Sequence, residues 1–220
     1  MSEKLNSIPS EDKVEPKESI LGPILEAAKY RIDTDEIRSM FVNLIASSVD
    51  KKTSDAVHPG FVEVIKNLSA DDALALQLLS LGRNGAICMI ISANENELRI
   101  PNNATHHCVL TSFFGFEESN LIISSLARNE LIEIKYIFNE DTEIFGSNFN
   151  KLKTEFAELR HEEKEKAKNY RYGALNLTPF GYEFAKVCSP LQYSDLGIEE
   201  YMRTKQQEKQ NQTKRTVDIN

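Results

Sequence analysis

Between residues 37 and 49, apolar side chains recur at every third or fourth position. Positions with this spacing lie on one face of an α-helix, and an apolar face must be covered by other apolar surface. Asp33, with Glu36 three residues later, matches a capping box at the start of this helix. We therefore expect an amphipathic helix packed among other helices, and its buried stripe consists of Ile37, Met40, Phe41, Leu44, Ile45 and Val49.

Two shorter amphipathic segments flank this helix and complete a small helical bundle predicted over residues 19–68. In the first, Pro23 is tolerated because proline fits the first turn of a helix. The second begins at His58-Pro59, where proline suits the first helical position. Residues 1–18 carry almost no bulky apolar side chain, so we expect a disordered arm there. The apolar positions of the two segments are Ile20, Leu21, Ile24, Leu25 and Ala28, and Phe61, Val62, Ile65 and Leu68.

The elements that follow are of mixed type. Ser69 and Asp72 form a second capping signal, before a leucine-rich helix that Gly82 is expected to end in a left-handed conformation. The β-branched run over residues 86–92 predicts a strand, whereas residues 106–114 fit either a helix or a buried strand. We therefore expect a mainly α protein with a smaller β component (α+β).

The last predicted elements complete a pattern found in winged helix-turn-helix domains. A surface helix is predicted over residues 117–129, and alternating side chains predict strands over residues 131–138 and 172–177. Thr178-Pro179 then supplies a cap and a first-turn proline for a closing helix. This order of elements resembles a winged helix-turn-helix domain, which we place at residues 69–190.

A long insertion separates the two strands of the predicted wing. It spans residues 139–171, which is too long for a plain hairpin turn. Its apolar residues alternate at spacings of three and four, which is typical of the seam of a short coiled coil. We interpret this helical seam as a contact surface for a partner or a second copy, since an exposed apolar seam is unfavourable. It consists of Phe149, Leu152, Phe156 and Leu159. Residues 191–220 have little to bury, so we expect a mostly disordered tail.

Composition limits the classes of function. The chain has 220 residues with 40% hydrophobic side chains, enough for one or two compact domains. Its formal net charge of −8 disfavours general binding to nucleic acid, which depends on Lys and Arg. No apolar run is long enough to span a bilayer, and the opening lacks a secretion signal, so we expect a cytoplasmic protein. Three widely spaced cysteines are interpreted as buried free thiols: Cys88, Cys108 and Cys188.

Candidate catalytic and metal-binding residues have simpler structural explanations. His58 at a helix entrance is expected to cap or pack. His106, His107 and Cys108 lack the paired spacing of a zinc site, so no metal site is assigned. Acidic pairs at helix starts are explained by the helix dipole. The sequence offers no acid–base grouping, phosphate loop or nucleophile elbow, so we predict a non-enzymatic protein without a cofactor.

The predicted surface helix at residues 117–129 carries a candidate recognition face. Its outward residues are Glu117, Asn120, Ser124 and Arg128, while Leu121, Ile122 and Leu126 are assigned to the packed side. A helix that reads DNA normally presents several basic residues, whereas this face has one base and one acid. The pattern therefore favours contact with a protein over contact with the major groove.

Several segments together resemble the Abi-alpha family of bacterial abortive-infection proteins. They are PKESILGPILEAAKYRIDTDEIRSMFVNLIASSVD, HPGFVEVIKNLSADDALALQLL and LTPFGYEFAKVC, and the resemblance covers most of residues 17–188. It implies a role in defence against bacteriophage, in which an infected cell dies or stops growing before phage multiply. The family resemblance implies no particular enzymatic activity.

The resulting hypothesis is a phage-defence protein that acts by protein recognition or self-association. One alternative is a winged-helix transcriptional regulator that binds DNA. Another is a nuclease or toxin-like enzyme whose site is assembled from residues distant in the sequence.

Overall fold

The computed structural model describes residues 2–29, 34–83, 85–91, 105–108, 110–137 and 169–189, with residues 200, 204 and 207. The described part is mainly helical, as the sequence predicts. The chain divides into two compact units. The first comprises Met1–Gly82, Ser124–Glu133 and Leu177–Gln192; the second comprises Arg83–Ile123, Ile134–Asn176 and Tyr193–Asn220.

Helices and strands have the following bounds. The helices are α1 (Ser2–Ser7), α2 (Glu18–Ala28), α3 (Asp35–Val49), α4 (Gly60–Asn67), α5 (Ala70–Leu78), α6 (Thr111–Phe114), α7 (Phe116–Arg128) and α8 (Pro179–Cys188). The strands are β1 (Gly85–Ile91), β2 (Thr105–His107), β3 (Ile132–Ile137) and β4 (Asn169–Leu177). Short 3-10 turns occupy Ser10–Asp12 and Ser54–Ala56.

Helix α3 is the centre of the first unit, and α1, α2, α4, α5 and α8 all pack on it. The predicted apolar stripe is buried at Ile37, Met40, Phe41, Leu44 and Ile45. The cap differs from the prediction, because the Thr34 side chain accepts the hydrogen bond from Ile37 N. The predicted cap residue Asp33 lies outside the described residues.

Residues 2–18 differ from the predicted disordered arm. Val14 N donates to Val49 O over 2.9 Å, and Lys51 N donates to Asp12 O over 2.8 Å, so the segment pairs with the end of α3. In α1, Lys4 Nζ donates to Asn43 Oδ1. Asn43 Nδ2 in turn donates to Ser189 O just after α8. Composition missed this arrangement because polar and backbone hydrogen bonds hold the segment in place, and apolar burial contributes little.

Helix α5 begins as predicted and ends differently. The Ser69 side chain accepts from Asp72 N, and Asp72 Oδ2 accepts from Ser69 N, which confirms the capping box. After Leu78 the chain continues as a π-helical turn over Leu79–Arg83. Gly82 therefore lies within a turn of helix and does not end the helix in the predicted left-handed conformation.

The start of α8 fits closely against the turn that follows α7. The Thr178 side chain accepts from Gly181 N over 2.8 Å, and Pro179 occupies the first turn, which confirms the predicted cap and proline. Thr178 N donates to Leu131 O over 3.0 Å. A Cβ atom added at Gly181 would lie 1.9 Å from Leu131 O, so only glycine permits this approach.

In the second unit, β1 pairs antiparallel with β2 on one side and with β4 on the other. The strand order of the sheet is β2-β1-β4-β3. In the pairing of β1 with β4, Gly85 lies opposite Leu175 and Ile91 lies opposite Asn169. The predicted strands at residues 86–92, 131–138 and 172–177 are confirmed, with β4 beginning earlier. Residues 106–114 contain both of the predicted alternatives, since β2 is followed by the short helix α6.

Parts of the predicted insertion and tail lie outside the described residues. Residues 138–168 and 190–199 are among them, and the coiled-coil seam falls in the first of these ranges. The predicted contact residues of that seam, Phe149, Leu152, Phe156 and Leu159, are thus all outside the described part of the chain.

Candidate functional site

The outward side of α7 is the candidate interaction surface. Glu117, Ser124 and Arg128 are exposed there, and Asn120 is half-buried, so the predicted recognition residues lie on one helix. Glu117 occupies the first turn of α7 and Arg128 the last, where each charge also complements the helix dipole. The face therefore carries an acid at one end and a base at the other.

Leu121 belongs to this outward face, and its predicted place on the packed side is wrong. Its side chain is 72% exposed. The buried stripe of α7 consists instead of Ser119, Ile122, Ile123 and Leu126. Leu121 follows Glu117 by four positions and precedes Ser124 by three, which is the spacing of residues on one helical face. The same periodicity that assigned the polar face could have assigned Leu121 to it. We call Glu117, Leu121, Ser124 and Arg128 the α7 face.

Helix α7 has a local hydrogen bond near its start and a long-range hydrogen bond near its end. Gly115 has a positive φ of 79° before the helix, and Ser119 Oγ donates to Gly115 O over 2.5 Å. At the other end, Ser125 Oγ donates over 2.9 Å to Asp72 Oδ2, an atom that also serves the capping box of α5. Because Asp72 is buried, this hydrogen bond orients the last turns of α7 within the first unit.

His58 has a structural role, as the sequence predicts. Its Nδ1 accepts from Gly60 N over 3.0 Å at the entrance of α4. Its ring centroid lies 5.8 Å from that of Phe61 and 5.7 Å from that of Phe180. Phe61 also contacts Phe184 at 5.2 Å between centroids, so the cluster joins α4 to α8. These distances are typical of stabilising aromatic contacts.

The cysteines and potential metal ligands give no second site within the described residues. Cys108 and Cys188 are buried and belong to no disulfide bond, as predicted, and burial raises the pKa of the Cys188 thiol well above its usual value. The side chain of Cys88 lies outside the described part. The described residues contain no cluster of three or more His, Cys, Asp or Glu side chains able to hold a metal ion.

A small cavity lies between the N-terminal segment and α3. Its volume is about 180 Å³, below the roughly 300 Å³ at which small-molecule sites usually begin. Sequence reasoning missed it, because it forms only where residues 14–20 meet residues from the end of α3 and the loop that follows. It is lined by Val14, Glu15, Lys17, Ile20, Ser48, Ser54 and Val57.

A helix that crosses a bilayer must be both long and apolar. Among the described helices, none combines the length and the apolar character needed to cross a membrane.

Comparison with known proteins places the chain in a family. Residues 1–188 match the family described as Abortive infection alpha, and the chain belongs to that family. One solved structure is similar over part of the chain: an uncharacterized protein from the hydrocarbon-degrading marine bacterium Alcanivorax borkumensis SK2. It is 18% identical, with 62% of this chain and 94% of that chain covered and a TM-score of 0.35. No match was found among the curated proteins.

Proposed function

We propose that this chain is a phage-defence protein of the cytoplasm that acts by recognising a protein or by self-association, without catalysis of its own. Membership of the Abortive infection alpha family supports the biological role. The α7 face supports the molecular role. A leucine that is 72% exposed in the middle of a short polar helix face is unfavourable in water, and a protein contact would cover it.

We further propose a winged-helix-like arrangement for the elements around α7. The order α5, β1, α6, α7, β3, β4 is that of a winged helix, apart from the additional strand β2. The sheet order, with β4 between β1 and β3, fits a wing folded beside the first strand. In this arrangement α7 would be the recognition helix. The small helical bundle at residues 19–68 and the domain boundary after it stay predictions.

A substitution at the centre of the α7 face tests the proposed role. We expect Leu121→Glu to abolish protection of cells against phage, because a charge at this position would have to be desolvated in any protein contact. The efficiency of plaque formation on cells carrying each variant is the measurement. Leu25→Glu is the matched control, since Leu25 is an exposed leucine on a different helix, α2.

Both variants must fold for this comparison to count, which thermal unfolding followed by circular dichroism checks. Full protection by the folded Leu121→Glu variant would contradict a role for the α7 face. Loss of protection in both leucine variants would point to a general loss of function, and would equally contradict it.

The second candidate function is a DNA-binding regulator. It is favoured by one observation, the exposed Arg128 on what would be the recognition helix. Against it, Glu117 is exposed on the same face and the whole chain has a net charge of −8. We expect no gel shift of duplex DNA at low salt. Specific binding that Arg128→Ala weakens would replace our proposal with the regulator.

A further inference from the structure

We propose that the α7 face pairs with the α7 face of a second copy of this chain, with the two helices antiparallel. This inference rests on the proposed role in protein recognition and names the partner as the same chain. The observation that carries it is the arrangement of four exposed side chains along α7, from an acid through a leucine and a serine to a base.

The four positions of the α7 face are symmetric about the centre of the face. Glu117 and Arg128 are equally distant from the midpoint between residues 122 and 123, and so are Leu121 and Ser124. A twofold axis through that midpoint places each residue of the face opposite its counterpart from the other end. Glu117 then faces Arg128 of the second copy, and this pairing occurs twice in the dimer.

The same axis also matches the sizes of the central side chains. Each Leu121 lies opposite Ser124 of the second copy, so a large apolar side chain meets a small one at two equivalent places. Such alternation lets two helices approach closely and covers the leucine that is 72% exposed in the single chain. A large residue opposite its own copy would hold the helices apart at this point.

Charge selects the antiparallel arrangement over the parallel one. In a parallel pair, Glu117 would face Glu117 and Arg128 would face Arg128, and like charges in contact are unfavourable. The helix dipole explains why an acid lies in the first turn and a base in the last. It does not explain the exposed leucine between them, whereas the dimer accounts for all four residues.

The size of the contact predicts its strength. The charged ends lie eleven positions apart, and an α-helix rises about 1.5 Å per residue, so the face is about 16 Å long. A contact of this length is small, and we expect a dissociation constant in roughly the micromolar range or weaker. Because its ends are ion pairs open to solvent, the dimer should weaken as salt increases.

Charge reversal gives a test with an internal rescue. The variants Glu117→Arg and Arg128→Glu each place like charges together in a dimer of identical chains. We expect each variant alone to dimerise more weakly than the natural chain, by roughly 5- to 30-fold for two reversed pairs. A mixture of the two variants restores complementarity at both ends, because one chain contributes two bases and the other two acids. Sedimentation velocity over about 1 to about 500 µM full-length protein measures the dimer in each sample.

The centre of the face is tested separately. Leu121→Glu should leave the chain monomeric over the same concentrations, whereas the control Leu25→Glu should dimerise as the natural chain does. A monomeric natural chain at all concentrations would overturn the inference. So would a mixture of the reversed variants that dimerises no more than either variant alone.

Two further outcomes separate this inference from the proposed function. If the chain dimerises but only Leu152→Glu/Phe156→Glu disrupts it, the α7 pairing is wrong while self-association through the predicted seam stands. If Leu121→Glu abolishes phage protection although the natural chain is monomeric, the α7 face binds a different protein. That result overturns the dimer and leaves protein recognition in place.

Discussion

At the scale of single residues, the absence of a side chain at Gly181 allows the start of α8 to pack against the turn that follows α7. The backbone of Gly181 lies against Leu131 O, at a distance that leaves no room for Cβ. Thr178 adds two hydrogen bonds to the same turn, one from its backbone N to Leu131 O and one from its hydroxyl to Glu130 O. The start of α8 is therefore held on the chain that follows α7 by backbone contacts that larger residues would prevent.

Gly181→Ala should consequently destabilise the protein. We expect a loss of about 3 kcal/mol in the free energy of unfolding, because the backbone of one segment must move to admit the methyl group. Urea unfolding followed by circular dichroism measures the change. Gly22→Ala is the matched control in α2, since nothing lies within 4 Å of its added Cβ, and it should be neutral or slightly stabilising. Equal effects of the two substitutions would contradict the close contact at Gly181.

At the scale of elements, buried Asp72 joins the start of α5 to the last turns of α7 within the first unit. Its carboxylate accepts from Ser69 N at the start of α5 and from Ser125 Oγ in α7. The first bond is local and was predictable from the Ser-x-x-Asp pattern. The second joins residues 53 positions apart, so no local pattern could have indicated it.

Asp72→Ala should therefore lower the free energy of unfolding by more than the loss of a helix cap alone would. We expect about 2 kcal/mol in the free energy of unfolding, since both Ser69 N and Ser125 Oγ lose their acceptor. Ser125→Ala removes only the link to α7 and should cost about 1 kcal/mol. Thermal or urea unfolding of both variants gives the comparison. If Asp72→Ala lowers the free energy of unfolding no more than Ser125→Ala does, the cap contributes nothing to stability.

The difference between local and long-range contacts explains which elements could be predicted from the sequence. Helical periodicity located α3 and α4, and local capping patterns located the starts of α5 and α8, because these signals lie within a few residues. The placement of residues 2–18 depends on Asn43 and on backbone groups near residue 50, which are distant in the sequence. For the candidate site, the sequence identified the polar members of the α7 face, and the structure added Leu121.

At the scale of the whole molecule, hydrogen bonds connect segments that are distant in the sequence within the first unit. Asn43 on α3 accepts from Lys4 and donates to Ser189, while α7 is attached to the same unit through Ser125 and Asp72. The first unit thus holds the last turns of the helix that carries the proposed contact face. In our account, defence against phage depends on that face meeting its counterpart on a second copy.

Phage protection by paired charge-reversal variants tests this account most directly. Cells would carry Glu117→Arg, Arg128→Glu, or both variants together, and survival after infection would be measured for each. We predict that neither variant protects alone and that the two together restore protection, because only the mixed pair has complementary charges at both ends of α7. Full protection by each variant alone, or none when both are present, would contradict the account.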